Sequence, residues 1–412
     1  MMPSERMEEI LAAHLSELES TGRAKGAETV FCGVQAPEGG KGPRYLLAGD
    51  GERPYLRMNS NSYLGMSLNS EVQGAEEAAV QAVGAGPGAV RFISGTWSAH
   101  TALEQRLAHF HGRQAAMIFS SAYAPVMGVL PQLIDGETVV ISDALNHNCI
   151  INAIRLARPR EKRVYAHLDL AELDRILSEC AETCRRALVV TDGIFSMRGD
   201  HAPLDEIMAL AEKHDSAYAE NVIIAVDDSH GVGAFGDSGR GTEEYCAAPP
   251  ADVLIATLGK AFGVNGGYVT ASATVIDYLR ETSPFYIYSN PITPGEAAAA
   301  MQAVEIVDSE IGRARLAHLR AMTARFEAGL VGLGFETIPG GHPVVPLMVR
   351  DTARTTALVA YLRTNLILAT GLNFPVVPKG DEEIRFQISA DHTAADIDEA
   401  LAVLKSFADE VP

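Results

Sequence analysis

The pattern of apolar positions along this chain changes character twice. Met7, Ile10, Leu11, Leu15 and Leu18 recur at helical spacing and predict an N-terminal amphipathic helix closed by Gly22. "QAPEGGKGPR" (35–44) then reads as a loop. From Met58 onward the pattern becomes short apolar runs rich in valine and isoleucine. These are "AAMIFS" (115–120), "TVVIS" (138–142), "ALVVTD" (187–192), "NVIIAVDD" (221–228) and "VLIA" (253–256), each a predicted strand. Between them, "LDLAELDRILSECAETC" (168–184) and "PLDEIMALAEKH" (203–214) carry helical periodicity. Near-continuous apolar strands separated by helices imply a mostly parallel sheet covered on both faces.

After Pro294 one long helix-prone region runs over 295–330. A strand ("PVVPLMV"), a helix (355–366), a second strand ("IRFQIS") and a last helix (394–407) follow, as in a smaller α/β domain. The expected division is a helical arm over 1–58, a large domain over 59–295 and a small C-terminal domain over 296–412. No internal repeat is present.

Composition narrows the partners. The 412 residues are 47% hydrophobic and 21% charged, enough to bury a large core without cross-links. With 53 acidic against 33 basic residues, the net charge is −20, which argues against nucleic acid and anionic membranes as partners. A local basic pocket for an anionic substrate remains compatible with it. Five cysteines, an odd number with no CxxC pair, suit a reducing compartment. The acidic start lacks the features of a signal or transit peptide, and no apolar run is long enough to span a membrane. A cytoplasmic location is expected.

In open parallel sheets ligands bind beyond the carboxyl ends of the strands. The predicted strands end on Ser121-Ala122-Tyr123, on Asp143 to His147, on Gly193 to Ser196, on Asp227-Asp228-Ser229-His230, and on Thr257 to Lys260. Each group alone has a plain structural reading: a helix cap, a satisfied core histidine, a surface lysine. Their joint placement on one sheet edge is the signal. Lys260 lies just past a buried strand and among glycines, where an amine is costly unless paired or chemically used. Asp227 and His230 fit two chemistries. One is a metal site with Asp228, although a metal needs three or four ligands and no further His or Asp has suggestive spacing. The other is a pyridine cofactor. Asp227 would keep the ring nitrogen protonated, His230 would meet the phenolic oxygen and His147 would stack on the ring. Lys260 would supply a Schiff base, and the amides of Ala122 and Tyr123, with Thr257, would hold a phosphate.

The motifs "SDALNHNCII", "TDGIFSMRGD", "VDDSHGVGAFGDSGRG" and "TLGKAFGVNGGY" resemble those of the α-oxoamine synthases, pyridoxal-phosphate (PLP) enzymes. The resemblance covers nearly the whole chain, from "NSNSYLGMS" to "ISADHT". It implies the PLP-dependent transferase fold type I, aspartate-aminotransferase-like. By the same resemblance Lys260 is the Schiff-base lysine, Asp227 and His230 the ring partners, and His147 the stacking histidine. Ala122, Tyr123, Thr257 and Ser196 would contact the cofactor, and Asn61 and Arg385 would hold the substrate carboxylate. Ser289 and Asn290 would reach the phosphate of a neighbouring subunit, which implies a homodimer with its active site at the interface. "FPVVPKGDEEIRFQISADHT", "AVRFISGTWSAH" and "GRGTEEYC" look most like glycine C-acetyltransferase, with glycine and acetyl-CoA as substrates. The alternatives are an 8-amino-7-oxononanoate synthase-like or 5-aminolevulinate synthase-like donor choice, or transamination. Asn148-Cys149, where Ala-Ser is usual, and a shortened "KAFGVNGGY" depart from the acetyltransferase pattern around the cofactor face and acyl pocket.

Overall fold

The computed structural model describes residues 2–410 except Gly22 and Pro375. Helix α1 (Pro3–Ser20) forms as its periodicity predicts, but it buries no residue, so the stripe of Met7, Ile10, Leu11 and Leu15 is exposed. Gly22, the expected end of this helix, lies outside the described residues. The rest of the first 58 residues is not helical. Strands β1 (Phe31–Gln35) and β2 (Arg44–Leu47) pair antiparallel, so the predicted loop at 35–44 is the turn of a hairpin whose end residues are in strands. β3 (Leu56–Arg57) follows.

Helices α2 (Ser70–Val83) and α3 (Ser98–Phe110) lead into the main sheet. There, β4 (Ala115–Phe119), α4 (Tyr123–Leu133), β5 (Thr138–Asp143), α5 (Asn148–Ala157), β6 (Glu161–Tyr165), α6 (Leu170–Cys180), β7 (Arg186–Asp192), α7 (Leu204–Asp215) and β8 (Asn221–Asp227) alternate. The short α8 (Thr242–Tyr245), then β9 (Val253–Thr257) and β10 (Gly267–Ala271), complete it. The seven strands are ordered β4-β10-β9-β8-β7-β5-β6. Only β10 runs antiparallel to its neighbours.

Alternate strand residues point to opposite faces of the sheet. Met117, Val140, Leu188, Ile255 and Val269 pack with α4 and α5 on one face. Val139, Ile141, Val189, Ile224 and Leu254 pack with α6 and α7 on the other. Because both faces are covered, every residue of β5 and β9 is buried, which is why these strands read as unbroken apolar runs.

Helices α9 (Ala273–Thr282) and α10 (Pro284–Ile287) precede α11 (Pro294–Val307) and α12 (Glu310–Gly332). The single helical region expected over 295–330 is therefore two helices. Ser309 breaks it: its side chain accepts from the amides of Ile311 and Gly312 and starts a new helix. β11 (Glu336–Thr337), β12 (Val344–Met348), α13 (Thr352–Thr364), β13 (Ile367–Leu368), β14 (Thr370–Leu372), β15 (Glu383–Gln387) and α14 (Ala394–Glu410) complete the chain. A second sheet is ordered β11-β12-β15-β14, and β13 pairs with β3 near the other end of the chain. Among the described residues no helix is long and apolar enough to cross a membrane.

Candidate active site

Parallel strands that end at a common level place their last residues side by side. Asp192 and Asp227 are register partners at the ends of β7 and β8. The loops beyond these ends surround a cavity of about 60 Å³ that brings together seven of the sequence-predicted residues: Ala122, Tyr123, His147, Ser196, Asp227, His230 and Lys260.

Ala122 is the residue before the first turn of α4. The opening amides of a helix have no intrahelical acceptor. Here Ala124 donates to Ser121 Oγ at 3.3 Å and Pro125 has no N–H, so among the described residues the free donors at this positive end of the helix dipole are the amides of Ala122 and Tyr123. A side chain at Gly267 would strike the carbonyl oxygen of Ser121 at 2.6 Å and Cα of Ala122 at 2.7 Å. Only glycine lets β10 lie this close to that turn. Thr257 ends β9 with its hydroxyl turned to the backbone, donating to Gly266 O at 3.2 Å and accepting from the Gly259 amide at 3.0 Å.

Asp227 accepts the Ser229 amide at 3.1 Å, and the Cys149 thiol points at its second oxygen at 3.7 Å. Cys149 also meets His147 Nδ1 at 2.9 Å, and its amide donates to that nitrogen at 3.3 Å. Burial holds the His147 imidazole below its ordinary pKa, with Asp227 opposing. The amide of His147 is fixed by Asp192 at 2.9 Å. Asp192 is itself pushed well above the carboxylate range, first by burial and then by the adjacent Asp227. His230 is pushed well below its ordinary value by burial, and Nδ1 of the ring meets the Tyr63 hydroxyl at 2.7 Å. Its carbonyl accepts from His342 at 2.9 Å.

Lys260 has no hydrogen bond or ion pair to its amine among the described residues. Burial lowers it to about 8, with Asp227 and Asp192 pulling the other way. A lowered pKa for a base means that the neutral, nucleophilic amine gains population as pH rises through about 8 instead of 10.5. In the cofactor-free protein, reductive alkylation of Lys260 by a small aldehyde, followed by peptide mapping, is therefore expected to rise with a midpoint near pH 8. A midpoint near that of the exposed lysines would show that the amine is not desolvated.

The other predicted residues lie outside this cavity's wall. Arg385 Nη1 donates to Ser196 O at 3.0 Å, which sets it at the rim. Asn61 accepts from Gln387 Nε2, and from the Tyr63 hydroxyl at 3.4 Å, so it joins the same network through Tyr63 and His230. Ser289 is half-buried and Asn290 exposed, and neither lines the cavity. Asp228, the third member of the metal reading, turns away. Its carboxylate takes the Thr242 amide at 2.6 Å and hydroxyl at 2.7 Å.

A family model for class I and II aminotransferases matches residues 53–404. The chain belongs to that family. It is 41% identical over 360 residues to an 8-amino-7-oxononanoate synthase from Marinobacter nauticus, covering 87% of this chain and 88% of the relative. It is 38% identical over 358 residues to one from Bacillus pumilus, covering 87% and 89%. Among solved structures, a lysine-to-alanine variant of the serine palmitoyltransferase from S. paucimobilis, with a bound PLP–myriocin aldimine, superposes with a TM-score of 0.86 at 25% identity, covering 96% of each chain. The family is thus the α-oxoamine synthases, and the fold is type I of the PLP-dependent transferases, as the motifs implied. The relatives' names support the 8-amino-7-oxononanoate synthase-like alternative and not the glycine C-acetyltransferase expectation.

Four residues of the network had no place in the sequence reading: Tyr63, Asp192, His342 and Gln387. Two had a usable signal. Asp192 ends its strand as Asp227 does, and Gln387 shares the alternation of Arg385 on one face of β15. Tyr63 lies in "NSNSYLGMS", two residues past Asn61, but nothing in that segment points to His230, and His342 comes from a segment with no motif.

Proposed function

We propose that this chain is a PLP-dependent acyltransferase that joins an amino acid to the acyl group of a thioester of coenzyme A and releases the free thiol. The observation that carries the reading is Lys260: an unpaired amine, lowered to about 8, set in one cavity with Asp227, His147, His230 and the first turn of α4. These residues fit the cofactor by their chemistry. Lys260 offers a neutral amine to an aldehyde, the amides of Ala122 and Tyr123 at the start of α4 are open to a phosphate, and Asp227 offers a carboxylate to a protonated ring nitrogen. When bound, PLP supplies the electron sink for the pair left at Cα of the amino acid.

The rest falls to the chain. Lys260 Nζ takes the Cα proton as general base. Arg385 grips the substrate carboxylate, with Asn61 beside it. His147, held neutral and fixed through its Nδ1 side, presents Nε2 to the reacting carbonyl. The half-buried Ser289 and exposed Asn290 line no part of this chain's cavity and would complete the site of a second copy in a homodimer.

The names of the curated relatives favour an acyl chain longer than acetyl. A second cavity of about 250 Å³, sharing His147 and Ser196 with the first, gives such a chain room. The test is release of free CoA by PLP-loaded protein given glycine or alanine with thioesters of two to eight carbons. Release with six to eight carbons well above acetyl-CoA is expected. Best release with acetyl-CoA would return the glycine acetyltransferase reading, and amino transfer to a keto acid without CoA would replace both.

A further inference from the structure

The second cavity has a mixed wall. Leu145, Phe195, Met197, Met348, Val377 and Pro378 make it apolar, while Arg198, Asp381 and Glu383 give it a polar end. β15 sends Glu383 into the wall of this cavity and Arg385 to Ser196, which lines both cavities. Its residues alternate, so Ile384 and Phe386 enter the core while Glu383, Arg385 and Gln387 share the opposite face. Each of these three holds a buried polar atom without a hydrogen-bond partner among the described residues: Glu383 Oε1, Arg385 Nε and Gln387 Oε1. Three orphaned atoms on one strand face mark a surface built to meet a polar ligand, since buried polar groups are otherwise almost always satisfied.

The substrate carboxylate accounts for Arg385, and Gln387 is tied to Asn61 through Nε2 although its Oε1 stays unpaired. Neither accounts for Glu383. It is 2% exposed, and no hydrogen bond or ion pair reaches its carboxyl among the described residues. Burial pushes it up to about 8, opposed by Arg385 and Arg198. It stands two residues, ~7 Å, along the strand from Arg385.

We infer that Glu383 is a specificity-determining residue that accepts a hydrogen bond from an uncharged donor, such as a hydroxyl, carried a few carbons along the acyl chain of the thioester. This rests on the acyl-transfer reading. The surroundings disfavour a carboxylate-ended chain. Asp381 and Glu383 put two carboxyls on the same wall against one cation, Arg198, whose Nε is on Asp200 at 2.8 Å. A plain alkyl chain would leave Glu383 buried and unpaired.

The test uses PLP-loaded enzyme with alanine and four thioesters of coenzyme A: acetyl, hexanoyl, 6-hydroxyhexanoyl and heptanedioyl. The wild type is expected to prefer 6-hydroxyhexanoyl over hexanoyl by at least about tenfold in kcat/KM. Glu383→Leu should bring that ratio near one, and Glu383→Gln, which keeps an acceptor, should retain part of it. Both variants should melt no lower than the wild type, because they remove a buried unpaired carboxyl; a wall residue of merely structural value would lower the melting temperature. A ratio that Glu383→Leu leaves unchanged, or a wild-type preference for the hexanoyl or heptanedioyl thioester, overturns the assignment while the acyltransferase reading stands. CoA release from none of the four overturns both.

Discussion

Lys260→Ala is expected to lower CoA release by roughly 10⁴-fold or more while the protein stays folded. No other amine or imidazole in the cavity can replace it. His230 is tied to Tyr63, and His147 has its Nδ1 side occupied by Cys149. The amine makes no bond that the fold needs, and taking a desolvated base out of a buried site relieves a cost. The melting temperature should therefore hold or rise. Turnover assays beside thermal melts decide the matter, and turnover within tenfold of wild type would remove Lys260 from the chemistry.

Asp227→Asn should cost roughly 10²–10³-fold in kcat, the scale of losing one fixed charge from a preorganised site. It should have a second effect that a structural role would not give. Asp227 is the larger of the two carboxylates that hold the Lys260 amine up against burial. Removing its charge is expected to move the amine below about 8, so that aldehyde labelling of the cofactor-free variant has a midpoint at lower pH than in the wild type. Asp192 loses its like-charged neighbour and should fall toward the ordinary carboxylate range, which carboxyl titration by NMR can follow. An unchanged Lys260 midpoint would contradict the placement of Asp227 beside the amine.

The strands buried on both faces were legible because they are continuous apolar runs. β6 was not. As the edge strand of the main sheet it alternates half-buried with exposed residues and reads "EKRVY". β10 was hidden behind Gly266 and Gly267, which look like loop, although Gly267 instead allows the close approach to Ser121 and Ala122. The break between α11 and α12 carried a visible cap, Ser309, inside a stretch whose helical period never falters. In the site, residues that directly follow strands were readable because topology brings strand ends together. Tyr63, His342 and Glu383 depend on how remote segments close over the sheet edge, and no local spacing encodes that.

The strand order has a consequence for how the chain is made. β4 lies at the edge of the main sheet and pairs only with β10, whose residues follow it far along the sequence. At about 5–20 residues per second, the ribosome leaves β4 without its partner for on the order of ten seconds. For that interval an apolar strand shows an open edge that nothing yet synthesised can cover. Soluble yield should thus answer to chaperone supply and translation speed over the stretch between these two strands.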